Sequence, residues 1–209
     1  MNIRVLGFMV SFFQMGCTVF GIRTVEEPRY KVVRQFDDLE VRQYDPYLVA
    51  TTKVKGPFSE AQNAGFRILA NYIFGGNTTE TSIAMTAPVI RENDGESIAM
   101  TAPVLQSQDA EGWLVSFTMP SQYKSLKDLP KPLDNRVELK RVEGYLAGVI
   151  GYTWRGTAEL NKEMADKLLT WLAKEGYQLK GNYKMAGYDP PWTIPFLRKN
   201  EIIQEVVEP

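Results

Sequence analysis

The chain contains no histidine, so the groups of interest for acid-base work or iron ligation are its carboxylates, phenols, thioethers and one thiol. That absence excludes Ser-His-Asp triads, His-ligated zinc and His-ligated haem. The lone cysteine, Cys17, excludes an intrachain disulfide and a Cys-cluster metal site. A general acid or base would have to be a carboxylate or Tyr with its pKa raised by burial. Glu40 and Tyr47 fit that role, as do Glu138 and Tyr145, because the two pairs recur at matching places in two similar stretches. The alternative for the glutamates is an ion pair with Arg42 and Lys140, each two residues further along the same strand face.

The thioethers come as a repeat. Ser82-Ile83-Ala84-Met85-Thr86-Ala87-Pro88-Val89 returns unchanged as the octapeptide from Ser97 to Val104, which places Met100 where Met85 stood. At period two, Ile83, Met85, Ala87 and Val89 share a face. An Asp94-Gly95 turn predicts a hairpin with Val89 opposite Met100 and Met85 opposite Val104. Pro88 and Pro103 cannot donate to a ladder, so each copy should end at an edge or bulge. Such a hairpin either fills a core or lines a flat apolar cavity with two adaptable thioethers.

A longer repeat organises the rest. Leu39 to Ala50 lies over Val137 to Gly148, each followed by a helix, with Ser59 and Thr157 as matching N-cap candidates. The first helix, near Ser59 to Phe74, carries the stripe Phe66, Leu69, Ala70, Ile73 and stops at Gly75-Gly76. The second, near Thr157 to Glu175, carries Ala165, Leu168, Leu169, Leu172 and stops at Gly176. Strands are predicted on either side of Asp37-Asp38, over Trp113 to Met119, over Tyr145 to Tyr152, and from Glu201 to Val207. Their alternation argues for antiparallel sheet with one buried face. The expected fold is α+β: a duplicated strand-helix-strand unit forming a distorted antiparallel β-barrel flanked by two α-helices. The Pro-containing stretch 120–132 should join the halves, about 29–120 and 133–207, of one domain spanning 29–207.

Net charge of −1 gives no basic field for nucleic acid, so none is expected as a partner. Residues 1–17 read as a leader: Arg4, an apolar run from Val5 to Phe13, then Met15-Gly16-Cys17. Cleavage there would leave Cys17 as a lipidated first residue, followed by a linker at 18–28, and would tether an exported protein to a membrane facing the periplasm or cell exterior. The alternatives are an uncleaved signal anchor or a buried N-terminal segment.

Several of these pieces together resemble the SOUL haem-binding family: the doubled Ile-Ala-Met-Thr-Ala-Pro-Val, Asn71-Tyr72-Ile73-Phe74-Gly75-Gly76-Asn77, and Tyr188-Asp189-Pro190-Pro191 with Arg198-Lys199-Asn200-Glu201. The resemblance runs from about Pro28 to Val206. It implies a twisted antiparallel barrel with two helices and a haem or other porphyrin ligand in an apolar groove beside the first helix, held as a carrier or buffer rather than turned over. By motif, contacts fall on Phe66, Arg67, Ala70 and Asn71, and on Tyr188 to Trp192. An axial His, credited to some relatives, does not transfer. The macrocycle is then expected to lie by its faces against Phe66, Leu69, Met85, Met100 and Trp192, with Arg67 or Arg198 near its propionates. Tyr72 or Tyr188 could ligate iron only as a phenolate, with a cation nearby. The runner-up is an enzyme acting on a hydrophobic small molecule on a similar scaffold.

Overall fold

The computed structural model describes residues 26–79, 82–93, 112–189 and 192–208. In chain order the elements are β1 (Tyr30–Phe36), β2 (Leu39–Tyr44), β3 (Tyr47–Val54), α1 (Phe58–Ile73), β4 (Val89–Asn93), β5 (Trp113–Thr118), β6 (Glu138–Val142) and β7 (Tyr145–Tyr152). Then come α2 (Ala158–Lys174), β8 (Gln178–Leu179), β9 (Lys184–Gly187), a 3-10 turn at Pro195–Leu197, and β10 (Asn200–Val207). The strands form one antiparallel sheet in the order β1-β2-β7-β10-β9-β4-β5-β3-β6, with β8 beside β10. The fold is α+β, a curled sheet flanked by helices. β1 and β6 each have a single neighbour, so the sheet stays open and the expected barrel does not close.

Apart from β1 and β8, the sheet order reads the same from either end once the halves are exchanged. β2 of the first half pairs with β7 of the second, and β6 of the second pairs with β3 of the first. Each half therefore completes the other's sheet, which the repeat alone did not reveal. The helices match at a spacing of two residues more than the strands. Pro57 caps α1 without a side-chain bond, while the Thr157 hydroxyl caps α2 by accepting from Leu160 N–H at 3.2 Å. Ser59, expected as a cap, lies inside the first turn of α1.

Paired residues share a face, so the ladders give two surfaces. On the outer one, α1 lies over β3 and β5, and α2 over β7 and β10. Leu69, Tyr72 and Ile73 pack with Leu48, Ala50, Val115 and Phe117 under α1. Ala165, Leu168 and Leu172 pack with Ile150, Met185 and Ile202 under α2. The concave inner surface gathers Tyr44, Tyr145, Tyr188, Ile90 and Ile203.

The first octapeptide is not the predicted strand. Residues 83–88 are irregular and β4 begins only at Val89, directly after Pro88. Nor can β4 pair with the second copy, because both its edges are taken: Val89 lies opposite Phe117 on one side and Gly187 on the other. The second copy, Met100 included, lies outside the described residues, as do Cys17 and the leader.

Candidate functional site

α1 runs along β5 from Phe58 against Trp113, past Gly65 over Val115, to Phe66 edge-on to Phe117 at 5.3 Å. A Cβ on Gly65 would come within 2.5 Å of Val115 Cγ2, so the glycine lets the helix approach closely. Phe66 stands at the margin, one edge on Phe117 and 36% exposed; Arg67 and Asn71 are exposed, Ala70 is half-buried, and Phe74 follows at 65% exposure. An antiparallel bridge joins Phe74 to Ser82, and Ile83 N–H donates to Ile73 O at 2.7 Å. Three residues past that bridge, about 10 Å of chain at most, Met85 is 37% exposed. The first octapeptide therefore places its thioether by the C-terminal end of α1 without forming a strand.

From Phe117 a row of outer-face residues crosses the sheet through Val89, Gly187 and Asn200 to Tyr152. Phe117 to Asn200 is three strand spacings, about 14 Å. Val89 and Gly187 are only half-buried, and this stretch lies between the two helices. At its far side stands the Pro-containing loop, with Trp192 60% and Phe196 57% exposed. Trp154, also exposed, holds φ at 76°, a region costly for a bulky residue. It is fixed there by donation from its N–H to Pro195 O and from Asn200 Nδ2 to its carbonyl, each at 2.9 Å. No pattern in the sequence marks Trp154. Arg198 donates through Nε to Thr193 O at 2.9 Å, and burial followed by repulsion from Arg155 lowers its pKa.

The structure does not bring all the expected contacts to this groove. Leu69 and Tyr72 are fully buried and attach α1 to the sheet. The Tyr72 hydroxyl donates to Pro130 O at 2.8 Å, and burial pushes its pKa up to about 12. Tyr188 lies on the other surface, where its hydroxyl bonds the Glu201 carboxylate and burial raises its pKa well above the ordinary value. Both phenols are thus held in the neutral form, which does not favour an iron-phenolate bond.

The inner surface is a closed polar and aromatic network. Arg42 grips Glu201 with two bonds of 3.0 Å and reaches Glu40 at 2.5 Å. Burial works against the Arg42 charge, but bonding and attraction from Glu201 prevail and hold it protonated. The Tyr47 and Tyr145 hydroxyls meet at 3.2 Å, and burial raises both pKa values. Glu138 pairs with Lys140 at 2.7 Å on the surface. Both glutamates considered for catalysis are therefore ion-paired to the neighbours two residues on. A separate cavity of about 230 Å³, with Glu27, Arg29, Asp45, Lys124 and Arg141 among its walls, is mixed in charge. It falls below the roughly 300–1,000 Å³ usual for drug-sized ligands. Among the described residues, no three acidic or Cys side chains cluster as metal ligands, and no helix is long and apolar enough to cross a membrane.

Three comparisons bear on this geometry. The family model for SOUL heme-binding proteins matches residues 25–205. Human "Heme-binding protein 2" is 28% identical over 186 residues, covering 86% of this chain and 85% of its own. Among solved structures, the EcmrR C-terminal domain is similar with a TM-score of 0.62 at 11% identity, covering 86% of this chain and 99% of that one. A structure described as a hydrolase from Listeria innocua has a TM-score of 0.55 at 12% identity, covering 84% and 94%. These two likenesses concern the fold alone.

Proposed function

The chain belongs to the SOUL heme-binding protein family, and from that membership we propose that it holds haem or a related tetrapyrrole by its faces in the groove beside α1, as a carrier or buffer. The observation that carries this reading is the pairing of exposed apolar groups at one end of the sheet. Phe66, Phe74 and Met85 belong to the α1 side, and Trp192 and Phe196 to the Pro-containing loop, across a half-buried floor. Exposed aromatic rings flanking a groove suit a flat apolar ligand, and Arg67 and Arg198 are the rim cations that would meet propionates. We also propose that Cys17 is lipidated and tethers the exported protein to a membrane, and that nucleic acid is not a partner, given 24 Lys and Arg against 25 Asp and Glu.

Absorbance titration of the full chain with haemin tests the ligand. Saturable binding that weakens about tenfold in Phe66→Ala and in Trp192→Ala is expected, from ring stacking of ~1–1.5 kcal/mol. No saturable binding, or binding indifferent to both changes, would remove the groove reading. Mass spectrometry of the exported protein tests the tether, which an intact Met1 or an unmodified Cys17 would refute.

A further inference from the structure

The described residues bury two arginines, and they differ in one respect. Arg42 has the two-bond partner Glu201. Arg91, on β4 and 5% exposed, has no hydrogen-bond or ion-pair partner among the described residues, and its Nε is fully enclosed without one. Its one close polar-type contact is the Phe58 ring, whose centroid lies 5.4 Å from the guanidinium carbon. Burying a charge without a counter-charge is costly, and proteins rarely leave that cost unanswered. Burial accordingly lowers the Arg91 pKa, with Tyr152 acting in the other direction.

The location shows what could answer it. Arg91 lies on the outer face, between Val115 under α1 and Met185 under α2. Its side chain extends toward the half-buried row above, where a Cβ on Gly187 would stand 3.3 Å from Nη2. Glycine at 187 leaves room for a group to descend onto the guanidinium. The walls there are Phe58, Val115 and Met185, with Asn200 Oδ1, 4.0 Å from the same Gly187 Cβ position, as a polar atom facing the opening, so the group would be an anion carried on a largely apolar body. Two carboxylates on neighbouring sheet positions are engaged or turned away: Glu201 bonds Arg42 on the inner face, and Glu92, next to Arg91, points to that face too.

We propose that Arg91 is the binding site for a carboxylate of the groove ligand, seated on the groove floor rather than at its rim. In the tetrapyrrole reading, on which this refinement rests, the carboxylate is a propionate. The same site would take the head of any apolar carboxylate.

Fluorescence quenching of the full chain with protoporphyrin, which has two propionates, and etioporphyrin, which has only alkyl groups, tests the proposal. The wild type should prefer protoporphyrin by about 30-fold, the scale of a charged hydrogen-bonded contact. Arg91→Met should lose most of that preference, keeping only what the rim cations give the second propionate, while melting no lower than wild type, since it removes an uncompensated charge. Arg91→Lys should keep part of the preference, and it guards against a Met variant that fails to fold. An unchanged preference in Arg91→Met overturns the site and leaves the tetrapyrrole reading standing. If neither porphyrin binds, that reading falls, and octanoate then decides the site alone. A melting temperature raised by octanoate but not by octylammonium in wild type, and by neither in Arg91→Met, supports it. Equal response to the two amphiphiles, or an unaltered octanoate response in Arg91→Met, sinks it.

Discussion

α1 and α2 occupy equivalent places on the sheet and bury equivalent stripes, yet their outward faces differ. Matched from their capping residues, Tyr72 corresponds to Leu172 and Gly65 to Ala165, and all four are buried. Close approach is arranged in opposite ways. Under α1 the helix supplies the glycine, Gly65, while under α2 the strand does, with Gly148 so near Leu172 that a Cβ would stand 2.6 Å from Cδ2. Outside, Phe66 corresponds to Asp166, which pairs with Lys162 at 2.7 Å. The exposed positions of α2 include Glu159, Lys162, Glu163, Asp166, Lys167 and Lys174, whereas those of α1 carry Glu60 and Arg67 as their charges beside exposed Phe66. Duplication preserved what holds each helix down. What differs is the outward face, where α1 exposes Phe66 and α2 exposes the Asp166–Lys162 pair.

The comparison breaks most readily at the buried stripes. Leu69→Ala and Leu172→Ala should each destabilise by ~2–5 kcal/mol in chemical denaturation, because both side chains are fully buried. A cost below ~1 kcal/mol at Leu69 alone, with ligand affinity lost instead, would make it a pocket wall and end the equivalence. Next in size is an exchange of outward residues. Phe66→Asp, which gives α1 the residue of α2, should weaken porphyrin binding by about 30-fold or more, since it loses a ring and sets a carboxylate beside propionates. Lys167→Ala on α2 should leave affinity unchanged. Equal losses in both would mean that the ligand does not distinguish the helices.

Tyr72 gives a smaller effect with a definite sign. An unfolded tyrosine loses its proton near pH 10, and Tyr72 in the fold near 12, because burial disfavours the phenolate. Between those values the folded chain holds more protons than the unfolded one, so stability is intact below pH 10 and falls as pH rises toward 12. Other buried tyrosines share the trend, so Tyr72→Phe should reduce the slope by no more than one proton. Leu172, its counterpart under α2, contributes nothing to it. A slope unchanged by Tyr72→Phe would contradict the burial of that hydroxyl.

Much of the scaffold was readable because local patterns fix it. Alternation gave β7 from Tyr145 to Tyr152, and Asp37-Asp38 marked the turn between β1 and β2, whose Asp37 adopts a positive φ of 53°. The helical stripes gave both helices to within two residues. The octapeptide misled because periodicity cannot say which strand a segment will pair with. β5 and β9, distant in sequence, occupy both edges of β4. Of the proposed groove, Phe66, Arg67, Asn71 and Trp192 were reached through the family resemblance, and it is binding measurements that would test them. Arg91 was not legible, since an arginine at one position of an alternating strand reads as solvent-facing until the helices on either side are in place. The bond of Arg42 to Glu201 spans 159 residues and has no local signature.

The smallest expected effect is the difference between haemin and metal-free protoporphyrin. Iron adds affinity only if a side chain ligates it, and this chain has no histidine. Tyr72 is turned into the α1 core and bonded to Pro130 O, and Tyr188 is on the inner surface, bonded to Glu201. Both are held neutral by burial. Met85 is exposed by the groove, but a thioether is a weak partner for ferric iron when nothing stronger stands opposite. The two ligands should therefore bind within about tenfold, a gap of ~1.4 kcal/mol. Parallel quenching titrations measure it. A hundredfold preference for haemin that disappears in Met85→Ala would show that α1 supplies a ligand atom as well as a face, and would make the contrast with α2 one of coordination. Parity that survives Met85→Ala would confine the contrast to apolar contact and charge.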